Sequence, residues 1–363
     1  MSAAEQLVLG SQMRTAREAV YLTPDAVSRY LHIEADDLLN WEAGYAEPSL
    51  EELEGLAALY GRGLDYFLSP TPPPLRPERL RSKTPREVLD LPLEARKVLA
   101  QFDELCRTAV EIETLLGARP RAKFRPLAGV GDPVSLAHEQ RRALGVSDGP
   151  IVGLRQRLED LNIRIFELPV PNNEFSGFFA WHVQYGPCIL VNARDVVGRR
   201  NFTLAHEFAH LLMGHTDGIC QLEHHEAPTG AEERTADLFA VEFLMPARAF
   251  EAYCLARRVD RCPAVQDLWR IANAWHVSLE AATRRLVDLK FADRQVLSDM
   301  LAGRDQLKPF FRASGRPKWQ RRLGERYVSL ALRAYSKDKI SLSKLAACLG
   351  VDVRNALKAA HSG

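Results

Sequence analysis

The chain has 363 residues, which is enough for two or three domains with separate hydrophobic cores. Its composition of 46% hydrophobic and 26% charged residues is ordinary for a globular protein, and no apolar run is long enough to cross a membrane. Six scattered cysteines without a CxxC pair, and an N-terminus without a secretory pattern, predict a cytoplasmic protein with reduced thiols.

The net charge of +1 hides opposite charges at the two ends of the chain. Residues 1–68 contain four Lys/Arg and twelve Asp/Glu, whereas residues 303–363 contain fourteen Lys/Arg and four Asp/Glu. Ends that differ this much in charge indicate different partners, or an interaction with each other.

The first 68 residues are predicted to form a compact, all-helical domain. Thr23 followed by Pro24 is typical of a helix start, because the hydroxyl can cap a helix whose first residue needs no N–H. Ser49 with Glu52 three residues later predicts a capping box at the start of another helix.

A linker and a helical connector are predicted between residues 69 and 133. The stretch 69–85 is basic and rich in proline, which favours an extended linker. Residues 86–117 show helical periodicity, and residues 117–133 again contain helix breakers.

Residues 134–260 are predicted to form a domain that mixes helices with short strands, followed by a helical, basic region at 261–363. Strands are predicted at 163–168, 177–183 and 188–191, with a turn at 185–187 between the last two. Helices are predicted at 134–145, 151–161, 198–214 and 231–244.

One of these helices carries two histidines four residues apart. His206 and His210 therefore share one helix face, where two neutral imidazole nitrogens can bind one Zn²⁺ at about 2.0–2.1 Å. Glu207 lies too far round the helix to be a natural third ligand, but it can take a proton from a water at the metal. The apolar neighbours that would keep such a site dry are Phe208, Ala209, Leu211 and Leu212.

A catalytic zinc needs a third protein ligand, and the next predicted helix supplies candidates. Glu233 and Asp237 are also four residues apart, so Glu233 can bind the metal while Asp237 orients a ligating histidine. Glu232 is the alternative ligand. The histidines between the two helices are interpreted mainly as loop residues that could touch metal or substrate; they are His215, His224 and His225.

Two other interpretations of the histidine pair stay open. His206 and His210 could be hydrogen-bonded core histidines, or they could hold a metal that takes no part in catalysis. The glutamate after His206, the apolar helix and the downstream acids favour a catalytic site, because a structural metal has no use for a base.

The stretch from Gly177 to Pro246 resembles the ImmA/IrrE family of bacterial and phage metallopeptidases. The residues that carry the resemblance are Val191, Asn192, Arg200, Phe202, Thr203, Leu204, Ala205, His206, Gly214, His215, Glu233, Ala236, Asp237, Phe239, Ala240, Phe243, Leu244, Met245 and Pro246. The resemblance implies that His206, His210 and Glu233 bind zinc and that Glu207 is the general base. It also implies a substrate, a helix-turn-helix transcriptional repressor cleaved at one site to release a stress or phage-defence response.

Residues 10–68 resemble the Xre/Cro-type helix-turn-helix, which implies operator binding by the helix at about 34–42. The matching residues are Met13 to Glu18, Leu22, Thr23, Leu31, Trp41 to Gly44, Pro48, Ser49, Leu53, Leu56, Ala57 and Leu64 to Phe67. That helix, however, carries Glu34, Asp36 and Asp37 and no Arg, Lys or Gln, so phosphates would be repelled. We therefore predict that this acidic domain binds protein or mimics DNA.

The basic C-terminal region has two features. Residues 271–286 are similar to the helical tail that follows the peptidase in this family. Residues 340–358 look like a second helix-turn-helix, with Ser341 as cap, Gly350 in the turn, and Arg354, Asn355 and Lys358 on the second helix.

Upstream of that motif, bases alternate with aromatic residues, a pattern that suits single-stranded nucleic acid. The stretch comprises Arg312, Arg316, Lys318, Trp319, Arg321, Arg322, Arg326 and Tyr327. The candidate residues for binding single-stranded or duplex nucleic acid are Arg316, Lys318, Trp319, Arg321, Arg322, Arg354 and Lys358. A solvated basic helix face is the alternative interpretation.

Cys220 lies between the two helices of the predicted metal site. A thiolate there could fill the open position on zinc and hold the enzyme inactive until it is oxidised or displaced. A buried loop cysteine is the other interpretation.

These patterns predict a mainly α fold with a small β-sheet, in which an α+β zincin-like peptidase core is flanked by all-α helix-turn-helix-like domains. The predicted function is a zinc-dependent site-specific endopeptidase that cleaves a helix-turn-helix repressor. The alternative is a DNA-binding transcription regulator that uses the peptidase-like core as a sensor. Glu207 favours the peptidase, because a pure regulator need not keep it.

Overall fold

A computed structural model describes residues 3–68, 85–117, 124, 126–127, 131–146, 148–182, 185–215, 218–220, 230–259, 263–302 and 319–362. Across these ranges helices surround one small β-sheet, which confirms the predicted mainly α fold. No helix in the described ranges is both long and apolar enough to cross a membrane. The chain divides into two compact units, Met1–Leu105 and Cys106–Gly363.

The first unit consists of short helices around one apolar core. Its helices are α1 (Ala3–Ala19), α2 (Pro24–Leu31), α3 (Ala35–Glu42), α4 (Leu50–Tyr60), α5 (Leu64–Phe67), α6 (Pro85–Asp90) and the start of α7 (Leu93–Leu115). The Thr23 hydroxyl caps α2, and Ser49 and Glu52 form the predicted capping box on α4. The core includes the buried side chains of Met13, Val27, Leu38, Trp41, Leu56 and Phe67.

A buried ion pair connects α1 to α3 in this unit. The Arg17 guanidinium donates two hydrogen bonds to the Glu42 carboxylate, at 2.7 and 2.8 Å, and a third to the Leu22 carbonyl at 2.9 Å. Burial lowers the pKa of Arg17, but the hydrogen bond and charge of Glu42 outweigh this effect and raise it. One carboxylate of α3 is therefore used inside the unit, while Asp36 and Asp37 stay exposed.

The second unit contains a four-stranded sheet of order β1-β3-β2-β4. The strands are β1 (Arg164–Leu168), β2 (Gly177–His182), β3 (Gly186–Asn192) and β4 (Gly218–Cys220). β3 is parallel to β1 and antiparallel to β2, and β4 is antiparallel to β2. The three longer strands agree with the predicted ones within two residues, but β3 begins at Gly186, inside the predicted turn 185–187. Three residues are too few for β4 to show a period in the sequence.

The second unit also contains the end of α7 and many further helices. They are α8 (Pro133–Ala143), α9 (Leu154–Asp160), α10 (Val197–Met213), α11 (Ala231–Leu244), α12 (Ala247–Ala256), α13 (Val265–Ala274), α14 (Leu279–Asp288), α15 (Arg294–Ala302), α16 (Trp319–Leu323), α17 (Glu325–Ser336), α18 (Leu342–Leu349) and α19 (Val353–Ser362). α10 packs against β2, β3 and α11, and α11 also packs against α8. Phe179, Ile189, Phe208, Phe239 and Phe243 are buried in the core that these elements share.

The start of α10 is fixed by the turn between α13 and α14. Gly198 lets the two backbones touch, since a Cβ at this position would lie 2.1 Å from the carbonyl carbon of Val277. Asn201 adds a hydrogen bond of 2.8 Å from its side-chain amide to the His276 carbonyl. The helix that carries the candidate ligands is thus held at its first turn by the helical tail.

The C-terminal helices attach to β1 and α9 through polar contacts of Arg326 and a buried aromatic contact. Arg326 donates to the Glu159 carbonyl and to the Asn162 side chain, both at 2.5 Å. The buried Tyr327 ring packs edge-on against Phe166 at 5.3 Å. The sequence pattern groups Arg326 and Tyr327 with a nucleic-acid-binding stretch, but Tyr327 lies in the interior and the Arg326 guanidinium is engaged by α9 and the turn after it.

Candidate metal centre

α10 places three titratable side chains in the protein interior. His206, Glu207 and His210 are 1%, 0% and 2% exposed, among helix neighbours that are also buried. Polar groups buried this deeply must be hydrogen-bonded or bind an ion. The helix ends directly after them, where Gly214 adopts a left-handed conformation with φ of 67° and its N–H caps the His210 carbonyl.

α11 brings a carboxylate to the two imidazoles. His206 Nε2 lies 3.0 Å from His210 Nε2 and 3.2 Å from Glu233 Oε2, and His210 Nε2 lies 3.4 Å from Glu233 Oε1. One ligand atom from each of these residues falls within 4.8 Å of the others. Within the described residues, this is the group of His, Cys, Asp and Glu side chains that could hold a metal ion.

The donor set and its spacing fit a zinc ion. Tetrahedral ligands at about 2.0–2.1 Å from a common ion lie about 3.3 Å from one another, which is close to the three separations given above. Two imidazole nitrogens and one carboxylate oxygen are also a ligand set found in catalytic zinc sites, where a fourth position stays open.

Each histidine ring also makes a contact through Nδ1, on the side facing away from the cluster. His206 Nδ1 donates to Asp237 Oδ1 at 2.9 Å, the contact that the four-residue spacing of Glu233 and Asp237 predicts. His210 Nδ1 lies 2.8 Å from His215 Nδ1, and its ring stacks on Phe179 with centroids 4.7 Å apart. These contacts hold both rings so that Nε2 faces the cluster, which is the usual way that ligating histidines are oriented.

Burial and hydrogen bonding oppose each other in the ionisation of the cluster. Burial lowers the pKa of His206, but hydrogen bonds to Asp237 and Glu233 outweigh it and raise the pKa to about 10. Burial also lowers the pKa of His210, and the hydrogen bond to Glu233 is too weak to reverse this effect, so the pKa of His210 stays lowered. Burial alone would raise the pKa of Glu233, yet the two imidazoles hold it well below its usual range. The cluster therefore favours a positive charge, either a proton on His206 or a cation in its place.

Glu207 occupies a space that β2 leaves open. A Cβ at position 177 would lie 2.1 Å from Glu207 Oε1 and 2.5 Å from Thr203 Cγ2, so Gly177 is the residue that allows the carboxylate to lie against the strand. The register places Cys220 of β4 opposite Gly177. The side chain of Cys220 lies outside the described part of the structure, as do residues 224 and 225 with their two histidines.

Two other predicted site residues are not among the three clustered ligands. Glu232, the alternative ligand, is exposed and is not one of the clustered residues. His215, interpreted from sequence as a loop residue, contacts His210 from behind.

The predicted nucleic-acid-binding residues are only partly described. Arg316, Lys318 and the side chain of Arg321 fall outside the described residues. Trp319 is half-buried on α16, and the Arg322 carbonyl accepts a hydrogen bond from Arg155 at 3.2 Å. Arg354 and Lys358 are exposed on α19.

Sequence reasoning overlooks two residues that shape the site, Gly177 and Phe179. A glycine inside an apolar strand is a known sign of close backbone approach, and this signal was available at position 177. The stacking of Phe179 on His210 depends on how β2 crosses α10, for which no local pattern exists.

Part of the chain that contains this site matches a known protein family. Residues 158–287, from within α9 to within α14, match the family model Peptidase M78, the IrrE N-terminal-like domain. A search among curated proteins found no match. The matched range contains His206, Glu207, His210 and Glu233. The match supports the resemblance to the ImmA/IrrE family and a protease role. This family implies a metal, which the clustered side chains could hold.

Proposed function

We propose that the chain is a zinc-dependent, site-specific endopeptidase that cleaves a helix-turn-helix transcriptional repressor and thereby derepresses a stress or phage-defence response. The observation that carries the proposal is the approach of three ligand atoms, from His206, His210 and Glu233, beside the buried carboxylate of Glu207. That this cluster falls inside the match to a peptidase family supports hydrolysis over simple metal storage.

The chemistry follows from the position of each group. Bound zinc supplies a Lewis acid that polarises a peptide carbonyl and makes water more acidic. His206 and His210 would hold it through Nε2, and Glu233 through its carboxylate. The Glu207 carboxylate accepts the proton of the attacking water and later delivers a proton to the amine that leaves.

The substrate class is supported by the resemblance and by the charge of the first unit. Glu34, Asp36 and Asp37 are exposed on or next to α3, and the described residues place no base in an ion pair with them. A DNA-binding repressor presents a basic surface, so its charge complements this helix.

The general base is tested by Glu207→Gln, with Glu232→Gln as the matched control. Purified protein is mixed with zinc and with small helix-turn-helix repressors from the same genome, starting with any encoded near its own gene, and cleavage is followed on gels. We expect Glu207→Gln to slow cleavage by about 10²–10⁴-fold, the usual contribution of a general base, without loss of bound zinc. The exposed Glu232→Gln change should leave the rate unaltered.

Two results of this assay would contradict the proposal. Cleavage that persists in Glu207→Gln at the control's rate would show that Glu207 is not the base. A derepression phenotype that survives the same change without any cleavage would instead support the regulator that uses its core as a sensor.

We further propose that Cys220 is a regulatory fourth ligand. The support is the register of β4, which places residue 220 opposite Gly177, next to the Glu207 carboxylate. If this is so, Cys220→Ser raises basal cleavage and removes activation by oxidants, whereas an unchanged rate would rule the role out.

A further inference from the structure

The last three helices of the chain form a bundle with its own packing. Leu345, Ala346 and Leu349 of α18 are buried, and so is Ala356 of α19. The Tyr327 hydroxyl of α17 donates to the Cys348 carbonyl at 3.1 Å. The small side chain at position 356 lets α19 lie close to the other two helices, so its orientation is set by direct packing.

A three-residue turn joins α18 to α19. Gly350 ends α18 in a left-handed conformation with φ of 61°, as the sequence predicts. Asp352 then caps α19, since its Oδ1 accepts a hydrogen bond of 2.8 Å from the Asn355 N–H. Two short helices joined in this way form the arrangement in which the second helix can enter a nucleic-acid groove.

The outer face of α19 is polar, basic and exposed. Arg354, Lys358 and His361 are spaced four and three residues apart, so they follow one another along a single face. Val353 and Leu357 beside them are 48% and 38% exposed. The helix contains no acidic residue, and the adjacent Asp352 carboxylate is engaged by Asn355.

The surroundings of α19 carry the same sign of charge. Residues 319–362 contain nine Lys/Arg and three Asp/Glu. Arg326 and Lys344 form ion pairs with acids of α7. Arg333, Lys337 and Lys339 are exposed in the last turn of α17 or just after it. Such an excess of bases attracts phosphates, which dominate the affinity of proteins for DNA.

We propose that α19 binds duplex DNA, with its face of Arg354, Lys358 and His361 in the major groove. A duplex fits better than a single strand, because single strands are held by aromatic rings that stack on bases. Between residues 325 and 362 the tyrosines are Tyr327, which is buried, and Tyr335, which is half-buried. Arg354 has the chemistry to donate two hydrogen bonds to guanine, and Lys358 to contact a phosphate or a base edge.

The corresponding helix of the first unit, α3, differs from α19 in the charge of its exposed face. There, α2 and α3 are also joined by a short turn, but the exposed face of α3 carries Asp36 and Asp37. Phosphates would be repelled from that face, so the proposal assigns DNA binding to α19 and not to α3.

Binding of the full-length protein to a fluorescent random-sequence duplex of about 30 base pairs tests the proposal, with anisotropy measured over a range of salt concentrations. We expect Arg354→Glu/Lys358→Glu to raise Kd at least about tenfold and to reduce the log–log salt slope by about 2. The matched control is Arg248→Glu/Arg294→Glu, which makes the same change of net charge on exposed residues of α12 and α15 and should alter Kd by less than about twofold.

Two further variants separate binding from folding and from proteolysis. Arg354→Gln/Lys358→Gln removes charge without reversing it and should weaken binding to an intermediate degree, with an unchanged melting temperature. Glu207→Gln should bind DNA like the wild type, so a failed peptidase assay would not affect this result. The proposal is overturned if the wild type does not bind duplex at low salt, if the α19 and control variants lose affinity equally, or if a single strand of the same length binds more tightly.

Discussion

The lack of a side chain at position 177 decides how closely β2 can approach α10. The carboxylate of Glu207 fills the space that a Cβ would take, as does the methyl group of Thr203. The position of the Glu207 carboxylate therefore depends on the missing side chain of Gly177.

Gly177→Ala should damage both activity and stability. The added methyl would overlap Glu207 Oε1, so the carboxylate or the strand must move, and overpacking of this kind costs about 1–3 kcal/mol. We expect lower kcat and a lower free energy of unfolding, measured by repressor cleavage and by urea denaturation. Gly149→Ala is the control, because nothing lies within 4 Å of a Cβ there; equal behaviour of the two variants would refute the steric argument.

Asp237 offers a prediction about metal affinity. Because its carboxylate accepts the hydrogen bond from His206 Nδ1, Asp237→Ala should weaken zinc binding by about 10–100-fold while the protein stays folded. Competition with a chromogenic chelator measures this effect. Glu232→Ala on the same helix should bind zinc like the wild type, and indistinguishable affinities for both variants would argue against an orienting role.

At the scale of single residues, the sequence predicts which side chains share a face of one helix. Four-residue spacing is enough to place His206 with His210, and Glu233 with Asp237, on shared helix faces. Spacing along a helix contains no information on Phe179, whose contact with His210 depends on how β2 packs against α10. It also does not report the contact of His215 with His210, which forms across the left-handed turn at Gly214 that ends α10. The roles of all these residues in metal binding and catalysis remain proposals.

Among the helices, α3 shows how one element can serve two purposes. Its inner face contributes Leu38, Trp41 and Glu42 to the first unit, and its outer face presents acids to solvent. Because Glu42 is held by Arg17, the inner face depends on a partner from α1.

Replacing Arg17 alone should lower the stability of the first unit far more than replacing Arg17 and Glu42 together. Arg17→Met removes both short hydrogen bonds from the buried Glu42 carboxylate and leaves it with the half-exposed Arg14, 3.5 Å away, as an ion-pair partner. We expect a loss of about 3 kcal/mol in stability of the first unit, the lower end of the usual range for breaking a buried pair. Arg17→Met/Glu42→Leu should recover most of it, because the two apolar chains can pack together. Hydrogen exchange of α1 to α5 measures both changes; a double variant as unstable as the single one would contradict this account.

Element boundaries were predictable where local chemistry sets them. The caps at Thr23, Ser49 and Ser341 are formed as predicted, and α10 begins and ends within a residue of the predicted helix. The periodic segment 86–117, in contrast, is divided into α6 and α7 just before Leu93, since Pro92 cannot donate a helical hydrogen bond. Hydrophobic periodicity alone does not report such a break.

The whole molecule combines an acidic first unit with a second unit that holds the candidate metal centre and a basic C-terminal bundle. The predicted domain bounds at residues 68, 133 and 260 remain predictions. Composition identifies where breakers and charges accumulate, but the extent of a compact unit depends on contacts between residues distant in sequence.

Removal of the metal should destabilise the second unit. An ion present at a hundredfold excess over its Kd contributes about 2.7 kcal/mol, which corresponds to about 5–10 °C in melting temperature for a unit of this size. Calorimetry with and without a chelator tests this expectation, and His206→Phe should melt at one temperature in both conditions. Identical wild-type traces would argue against a bound metal.

The three candidate ligands come from α10 and α11, which pack against each other, so the site should tolerate insertions in the chain between these two helices. An ion shared by His206, His210 and Glu233 would act as a cross-link between α10 and α11, closing a loop of chain. The three ligands lie outside residues 221–229, and a longer segment there raises the entropy cost of closing the loop. Doubling a loop costs only about 0.6 kcal/mol, so insertions there should be nearly neutral for metal affinity.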